Sequence, residues 1–410
     1  MDISHPGSGY STDARPRIAF VIPLLHARSG WATFARGAIR ALSEFIEPVL
    51  IVSRADEAAT RREFPALERQ TLPTVQAEDW NETTVSMLRR MAPALAAARR
   101  LTLPGVRLIH SLEVFPAGWI GATLARTAGA PHVLTAHGTY ALIWKQWPLL
   151  DFFHRRILRH AAAVYPVSEG TAEKLRAAYK GNLGGKLIRT VRIGSDAASR
   201  VEHEAAAGRT QPDSPVVLTV GGVKARKGYH ANLRAFGLLQ RRFPDARYLV
   251  AGRDPESEYR LQLEEILRVN AIRNVEFLGV VDSARLDSLY RQASIFLLLS
   301  EEDDRHFEGF GLVYLEAGAY GLPVVGSRSG GIPDAVAEGE SGFLVAPGDV
   351  EGAAQAMIRL ASDRQLSMRM GGAGRAKAEY FTWRRYAEEQ FRQYREVLAG
   401  ACAVGGGRGS

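Results

Sequence analysis

Short apolar runs alternate with helical stretches along nearly all of the 410-residue chain, and the alternation runs through twice. The runs at 18–22, 48–52, 106–110, 132–136 and 163–167 are almost continuously apolar, the pattern of parallel strands buried on both faces. Between them, 31–43, 85–100, 117–128 and 169–178 have helical spacing. A polar, aperiodic segment with two prolines follows at 199–215 and reads as a linker. The pattern then restarts, with strands at 216–220, 248–251, 275–278, 295–299 and 324–326 and helices at 229–242, 258–269, 284–292, 312–320 and 350–362. Such units build parallel sheets covered by helices on both faces. The chain is therefore expected to be α/β, with two Rossmann-like, doubly wound domains facing each other across a cleft, at 1–198 and 216–382. The amphipathic stretch 383–400 is expected to pack back on the first domain, and the Gly-rich end 405–410 to be disordered. Ligands of such sheets sit outside the carboxyl ends of the strands, where loops run into helix N-termini.

Composition narrows the setting. At 46% hydrophobic and 23% charged residues, the chain resembles ordinary globular proteins. No stretch approaches the ~18 unbroken apolar residues of a membrane span. Residues 1–15 are polar and lack a signal-peptide core, so a cytoplasmic location is expected. Cys402 is the only cysteine, so an internal disulfide is impossible and no Cys/His cluster suggests zinc. The net charge is +8, and between Lys145 and Arg192 ten Lys/Arg stand against three Asp/Glu. Charge alone does not choose among phosphates, anionic lipids and nucleic acid. Aromatics of the RNA-binding type are missing, so no nucleic-acid partner is expected.

Chemistry concentrates in the second half. The segment Phe307-Glu308-Gly309-Phe310-Gly311-Leu312-Val313-Tyr314-Leu315-Glu316 follows an apolar strand and enters a helix near Leu312. Its glycines let the backbone approach a ligand, and free N–H groups at a helix N-terminus favour a phosphate. Two carboxylates beside a phosphate site would repel it unless each accepts hydrogen bonds from sugar hydroxyls. A nucleotide sugar has hydroxyls on both sides of its diphosphate and fits that spacing. A capping glutamate beside a solvated helix glutamate would give the same pattern. The turn Gly221-Gly222-Val223-Lys224-Ala225-Arg226-Lys227-Gly228 also joins a strand to a helix and carries three cations, suited either to a diphosphate or to solvent. It lacks the spacing of a P-loop.

At these residues the chain resembles the retaining glycosyltransferases of family four, which have the GT-B fold. The resemblance covers nearly the whole length and is densest over 216–347. It rests on the Glu308/Glu316 pair, the Gly-rich turn with Lys227, Phe277-Leu278-Gly279-Val280, Leu289-Tyr290, Ser300, Gly321-Leu322-Pro323-Val324-Val325 and Gly330-Gly331-Ile332-Pro333. The resemblance implies that Glu308 faces the donor hexose and Glu316 the ribose diol. Lys227 and the amides of Gly309, Phe310, Gly311 and Leu312 would hold the diphosphate, and Val280 would line the nucleobase. The chain departs from the family at three positions. Gly222 stands where an arginine is common, leaving Lys224 or Arg226 to replace that contact. Ile193-Gly194 replaces Asn-Gly, and Asp334 takes the place of a usual glutamate.

In the first half, Ser29-Gly30 occupies the first strand-to-helix loop, where the family has two glycines near the donor phosphate. His137 follows the strand ending at Ala136; by resemblance it touches the donor sugar or its reacting centre, and a packed histidine is the alternative. His110 reads as structural. The segment 142–156 mixes Trp144, Trp147, Phe152 and Phe153 with Lys145, Arg155 and Arg156. That mixture suits a membrane interface or a lipid-linked acceptor, or else a helix with its apolar face in the core. The expected activity is transfer of a hexosyl group from a nucleotide diphosphate sugar to a saccharide or lipid-linked acceptor, with retention, without cofactor or metal. Glu308, His137 and Lys227 are the expected catalytic residues. A non-catalytic nucleotide-sugar or polyanion-binding protein of the same fold is the alternative. The acidic run 301–304 reads as a solvated loop.

Overall fold

The structure is a computed structural model and describes residues 15–22, 25, 30–74, 84–183, 187–201, 214–303 and 306–405. Ser29, most of the 199–215 segment and the last five residues lie outside the described residues. Two sheets carry the chain. The first contains β1 (Arg17–Ile22), β2 (Glu47–Ser53), β3 (Glu68–Leu72), β4 (Val106–Ser111), β5 (His132–Ala136), β6 (Ala163–Pro166) and β7 (Leu187–Ile188), in the order β3-β2-β1-β4-β5-β6-β7. The second contains β8 (Val216–Val220), β9 (Arg247–Ala251), β10 (Val275–Phe277), β11 (Ile295–Leu298), β12 (Val324–Ser327) and β13 (Gly342–Val345), in the order β10-β9-β8-β11-β12-β13. Neighbouring strands pair in parallel in both. Each sheet is thus a Rossmann-like, doubly wound unit. Each has one point where the strand order reverses, β1/β4 in the first and β8/β11 in the second, and such switch points are where this architecture binds ligands.

The central strands form because both faces are covered. Ile18, Ala19, Phe20, Val21 and Ile22 are all at most 2% exposed, which explains why they read as one unbroken apolar run. Patterning does not reveal β3, β7 or β13. Strand β3 is an edge strand with the polar sequence Glu-Arg-Gln-Thr-Leu, and β7 has only two residues.

The helix Arg364–Tyr380 is also hidden in the sequence, because Gly371, Gly372 and Gly374 lower its propensity. Close approach accounts for two of those glycines. A Cβ at Gly371 would strike the Gly321 carbonyl, and one at Gly374 would sit 3.3 Å from the Gly318 Cα. The long helix can therefore press directly against Leu312–Ala319, the helix that carries Glu316.

The last helix, Trp383–Gly405, crosses onto the first helix of the chain, Gly30–Leu42. Phe34 meets Trp383 and Tyr386 at ring separations of 6.0 and 5.5 Å. The Tyr394 hydroxyl lies 2.5 Å from Nδ1 of the buried His110, whose Nε2 reaches Thr135 Oγ1 at 2.8 Å. Burial holds His110 well below its ordinary pKa, so it stays neutral and its role is to join this helix to β4 and β5. Among the described residues no helix is long and apolar enough to cross a membrane.

Candidate active site

Four loops meet at the two switch points. In the second domain, Gly228 has φ +66° and sits beneath the end of β11, where a Cβ would collide with the Leu299 carbonyl. Only glycine fits, and the close fit carries Lys227 toward the loop after β11. There Lys227 Nζ donates a hydrogen bond to Glu308 Oε2, and Arg226 Nη1 lies 3.9 Å from the same oxygen. The Lys227 and Glu308 side chains are only 15% and 16% exposed, so this pair is largely removed from water. Burial pushes the Glu308 carboxyl up, but Lys227 and Arg226 outweigh it and hold the group below its ordinary value. Lys227, Arg226 and the first glutamate of the pair thus form one cluster, while Lys224 in the same turn is exposed.

The helix Leu312–Ala319 begins after Gly311, whose φ of +87° is a left-handed conformation. Tyr314 anchors its first turn by donating from its hydroxyl to the Leu298 carbonyl at 2.7 Å. Phe310 is buried against Phe381, at 5.4 Å between rings, so its side chain belongs to the core and only its backbone can serve a ligand. Glu316 is half-buried and accepts a hydrogen bond from the Tyr290 hydroxyl at Oε2, 3.0 Å away. Tyr290 is itself buried and stacked on Tyr320 at 4.8 Å and 10°. Residue patterning gives Tyr290 no role; its bond to Glu316 becomes visible only once helix Ser283–Gln292 packs beside the site.

Gly222, after β8, has nothing within 4 Å of where a Cβ would stand, so it leaves open room at the turn. The neighbouring Gly221 carbonyl would be struck by a Cβ on Gly252, and Gly252 donates its N–H to the Gly279 carbonyl at 2.9 Å. The loops after β8, β9 and β10 are therefore contiguous. Val280, next to Gly279, is 65% exposed and lies at the rim of this group, not within the Glu308 cluster.

The acidic run is not simply solvated. Glu301 pairs with His230 at 2.8 Å. Glu302 accepts from Ser329 Oγ and Gly330 N, each at 3.0 Å, and reaches Lys174 of the first domain at 3.2 Å. Asp304 lies outside the described residues. Among the described residues no three His, Cys, Asp or Glu side chains converge to hold a metal.

The first domain supplies the opposite wall. Gly30 starts its helix exposed, with open space around it. His137 follows β5 and is packed edge-on against Phe34, at 4.6 Å and 74°. Burial drives its pKa down to about 3, against the opposing pull of a hydrogen bond to the Leu112 carbonyl. The ring is therefore neutral at physiological pH. Nε2 is buried and has no hydrogen-bond partner among the described residues. The next residues lock the domains together. Thr139 Oγ1 donates to the Phe307 carbonyl and accepts from the Phe307 N–H, both at 2.9 Å. Gly138 faces Gly309 so closely that a Cβ on Gly138 would stand 2.6 Å from the Gly309 Cα. Asp334 joins this seam, accepting from Glu169 N at 3.0 Å and pairing with Arg192 at 2.9 Å.

Two doubly wound domains with facing switch points, one lined by a lysine–glutamate pair at a Gly-rich helix entry, define a glycosyltransferase of the GT-B fold. The family profile described as glycosyl transferases group 1 matches residues 201–377, and that of a glycosyl transferase 4-like domain matches 29–182. The chain is 30% identical over 311 residues to the GDP-mannose-dependent alpha-(1-6)-phosphatidylinositol monomannoside mannosyltransferase of Mycolicibacterium smegmatis, covering 72% of this chain and 78% of that protein. It is 27% identical over 375 residues to the sulfoquinovosyl transferase of Arabidopsis thaliana, covering 87% and 68%. Among solved structures, sucrose-phosphate synthase from Thermosynechococcus elongatus superposes with a TM-score of 0.75 at 24% identity, over 94% of this chain and 100% of that one. HepE of Anabaena, solved with UDP and glucose, gives 0.71 at 19%, again over 94% and 100%. These two likenesses show the fold. The chain belongs to the group 1, family-four glycosyltransferases and is a transferase enzyme.

Proposed function

We propose that the protein transfers a hexosyl group from a nucleotide diphosphate sugar to an acceptor hydroxyl, with retention at the anomeric carbon, in the synthesis of a cell-surface polysaccharide or glycolipid. The observation that carries this reading is the largely buried Lys227–Glu308 pair at the β8/β11 switch point, with His137 in the facing loop. On donor binding, Lys227 turns to the diphosphate, supported by Arg226 and the amides of Gly309, Phe310, Gly311 and Leu312. Glu308 then accepts from the hexose hydroxyls and Glu316, braced by Tyr290, from the ribose. The neutral His137 accepts from a hydroxyl near the reacting carbon. Val280 borders the nucleobase, and Gly222 and Gly30 leave space for phosphate and acceptor. The bond to the acceptor oxygen forms on the face from which the phosphate leaves, and the acceptor proton passes to the departing phosphate oxygen. The donor class agrees with the names of a relative, which uses GDP-mannose, and of a structural neighbour that holds UDP and glucose. Turnover of labelled nucleotide sugars, with the product anomer read by NMR, tests the reading. A product of inverted configuration would overturn retention, and no transfer from any donor would favour a binding protein.

No cofactor or metal enters this scheme. Chelation by EDTA is expected to leave kcat within about twofold, because Lys227, Arg226 and backbone amides supply the electrostatic stabilisation of the leaving group. Loss of activity with rescue by manganese would contradict it.

The reading also places the enzyme at the inner face of an anionic membrane. The two readings of the 142–156 segment divide between its residues. Trp144 is fully buried against Phe115, at 4.3 Å, and Trp147 is only partly exposed, so the tryptophans are not surface anchors. On the helix Pro148–His160, Leu149 and Phe152 are instead 46% and 57% exposed, and Lys145, Arg156 and Arg159 are exposed around them. Each cation near an anionic surface contributes about 1 kcal/mol, and salt screens that attraction as the Debye length falls from about 10 Å to 3 Å. Co-sedimentation with phosphatidylserine vesicles at low salt should exceed that with neutral vesicles and fall in the Leu149→Ser/Phe152→Ser variant. Equal, poor binding to both vesicle types would contradict membrane docking.

A further inference from the structure

Glu113 follows β4 and therefore stands at the switch point of the first domain, opposite the donor cluster. It is 7% exposed, and its carboxyl has no hydrogen bond or ion pair among the described residues. A carboxyl on a residue only 7% exposed is costly to hold unless something hydrogen-bonds it, and among the described residues nothing does. Its neighbours belong to the site. The preceding carbonyl, Leu112, accepts from the Trp31 indole at 3.3 Å, and Trp31 stands edge-on to His137 at 6.4 Å. Tyr140, on the loop that meets the second domain, feels the charges of both Glu113 and, across the cleft, Arg226.

We propose that Glu113 recognises the acceptor: its carboxyl hydrogen-bonds a ring hydroxyl of an incoming sugar or cyclitol and seats it against the donor carbon. This rests on the glycosyl-transfer reading above and adds its acceptor-side residue. Burial pushes the Glu113 carboxyl up to about 8, so near neutrality it is mostly protonated and can both donate and accept, as a sugar hydroxyl does. A neutral acid also avoids placing a second uncompensated negative charge near the leaving diphosphate. Glu308, by contrast, is held below its ordinary value against burial by Lys227 and Arg226, whereas burial alone acts on Glu113.

The test uses the full chain, with the nucleotide sugar that gives the fastest nucleotide release in water. Release is then measured with added methyl α-D-mannopyranoside, octyl β-D-glucopyranoside and phosphatidylinositol vesicles. Glu113→Leu should raise KM for the stimulating acceptor at least about tenfold, the loss of one hydrogen bond to a buried polar group. The donor KM should change far less than the acceptor KM, and the unfolding temperature should not fall. Glu113→Gln, which keeps one donor and one acceptor, should stay within a few-fold of wild type. A Glu113→Leu enzyme with unaltered acceptor KM overturns the proposal, as does loss of stability in parallel with activity. Wild-type release that none of the three acceptors accelerates also overturns it, because the proposed acceptor class is then wrong. Absence of release from every donor would instead remove the transfer reading itself.

Discussion

Glu308→Gln should lower kcat about 100-fold or more while leaving the fold intact, on the scale of removing one preorganised electrostatic contact from a dry site. The amide is isosteric, but it cannot offer two anionic acceptor oxygens, and it leaves Lys227 without its partner. The pair is largely buried, at 15% and 16% exposure, so the unpaired lysine carries a desolvation cost. Some loss of unfolding temperature is therefore expected, and nucleotide binding should survive because Lys227 becomes free to meet the diphosphate. Activity within twofold of wild type would remove Glu308 from the site. The pH dependence has a defined sign. Glu308 is held below its ordinary value of 4.5, so the stability it contributes is present above the unfolded carboxylate range. That stability is lost as the pH falls through the still lower folded value, and in Lys227→Ala, which removes the main cation holding the group down, this acid-dependent loss should shrink.

Lys227→Ala should weaken binding of UDP or GDP by about 10- to 100-fold, the ~1.5–3 kcal/mol of a charge-assisted contact. Binding of the matching nucleoside should change little, because the lysine addresses only phosphate. The structure adds a second consequence that the sequence did not suggest. Lys227 also holds the Glu308 carboxylate, so its removal leaves a buried acid with only the more distant Arg226 and should reduce turnover beyond the loss of donor affinity. Isothermal titration of nucleotide and nucleoside decides the first point. Equal weakening of both would show that Lys227 acts on the fold and not on the phosphate.

Much of the architecture was legible because burial leaves a one-dimensional trace. Strands covered on both faces, such as β1, β5 and β8, read directly as apolar runs, and the restart after 199–215 gave the second sheet. What escaped was structure set by long-range contact. The edge strand β3 has no apolar signature, and the helix Arg364–Tyr380 looks like a broken one until Gly318 and Gly321 are seen packed against it. The site was legible to a similar depth. Glu308, Glu316 and the basic turn stand out by spacing, yet nothing local predicts that Lys227 touches Glu308 across 81 positions or that Tyr290 braces Glu316 across 26. The tryptophans of 142–156 are open to two readings, a membrane interface or the core, because an aromatic-cationic pattern serves both; the structure places Trp144 in the core. A lone glutamate such as Glu113 has no pattern; only its burial, with no partner among the described residues, marks it.

The measurement closest to the centre of this reading is thermal unfolding of the full chain with a panel of nucleotide sugars, UDP-glucose and GDP-mannose among them, in wild type and Lys227→Ala. A ligand at 100 times its Kd stabilises a protein by about 2.7 kcal/mol, which raises the unfolding midpoint by several degrees. One nucleotide sugar should stabilise the wild type in this way, and Lys227→Ala should lose most of the shift at the same concentration. No stabilisation by any nucleotide sugar, or an equal shift in both proteins, would contradict a donor site built on Lys227 and Glu308.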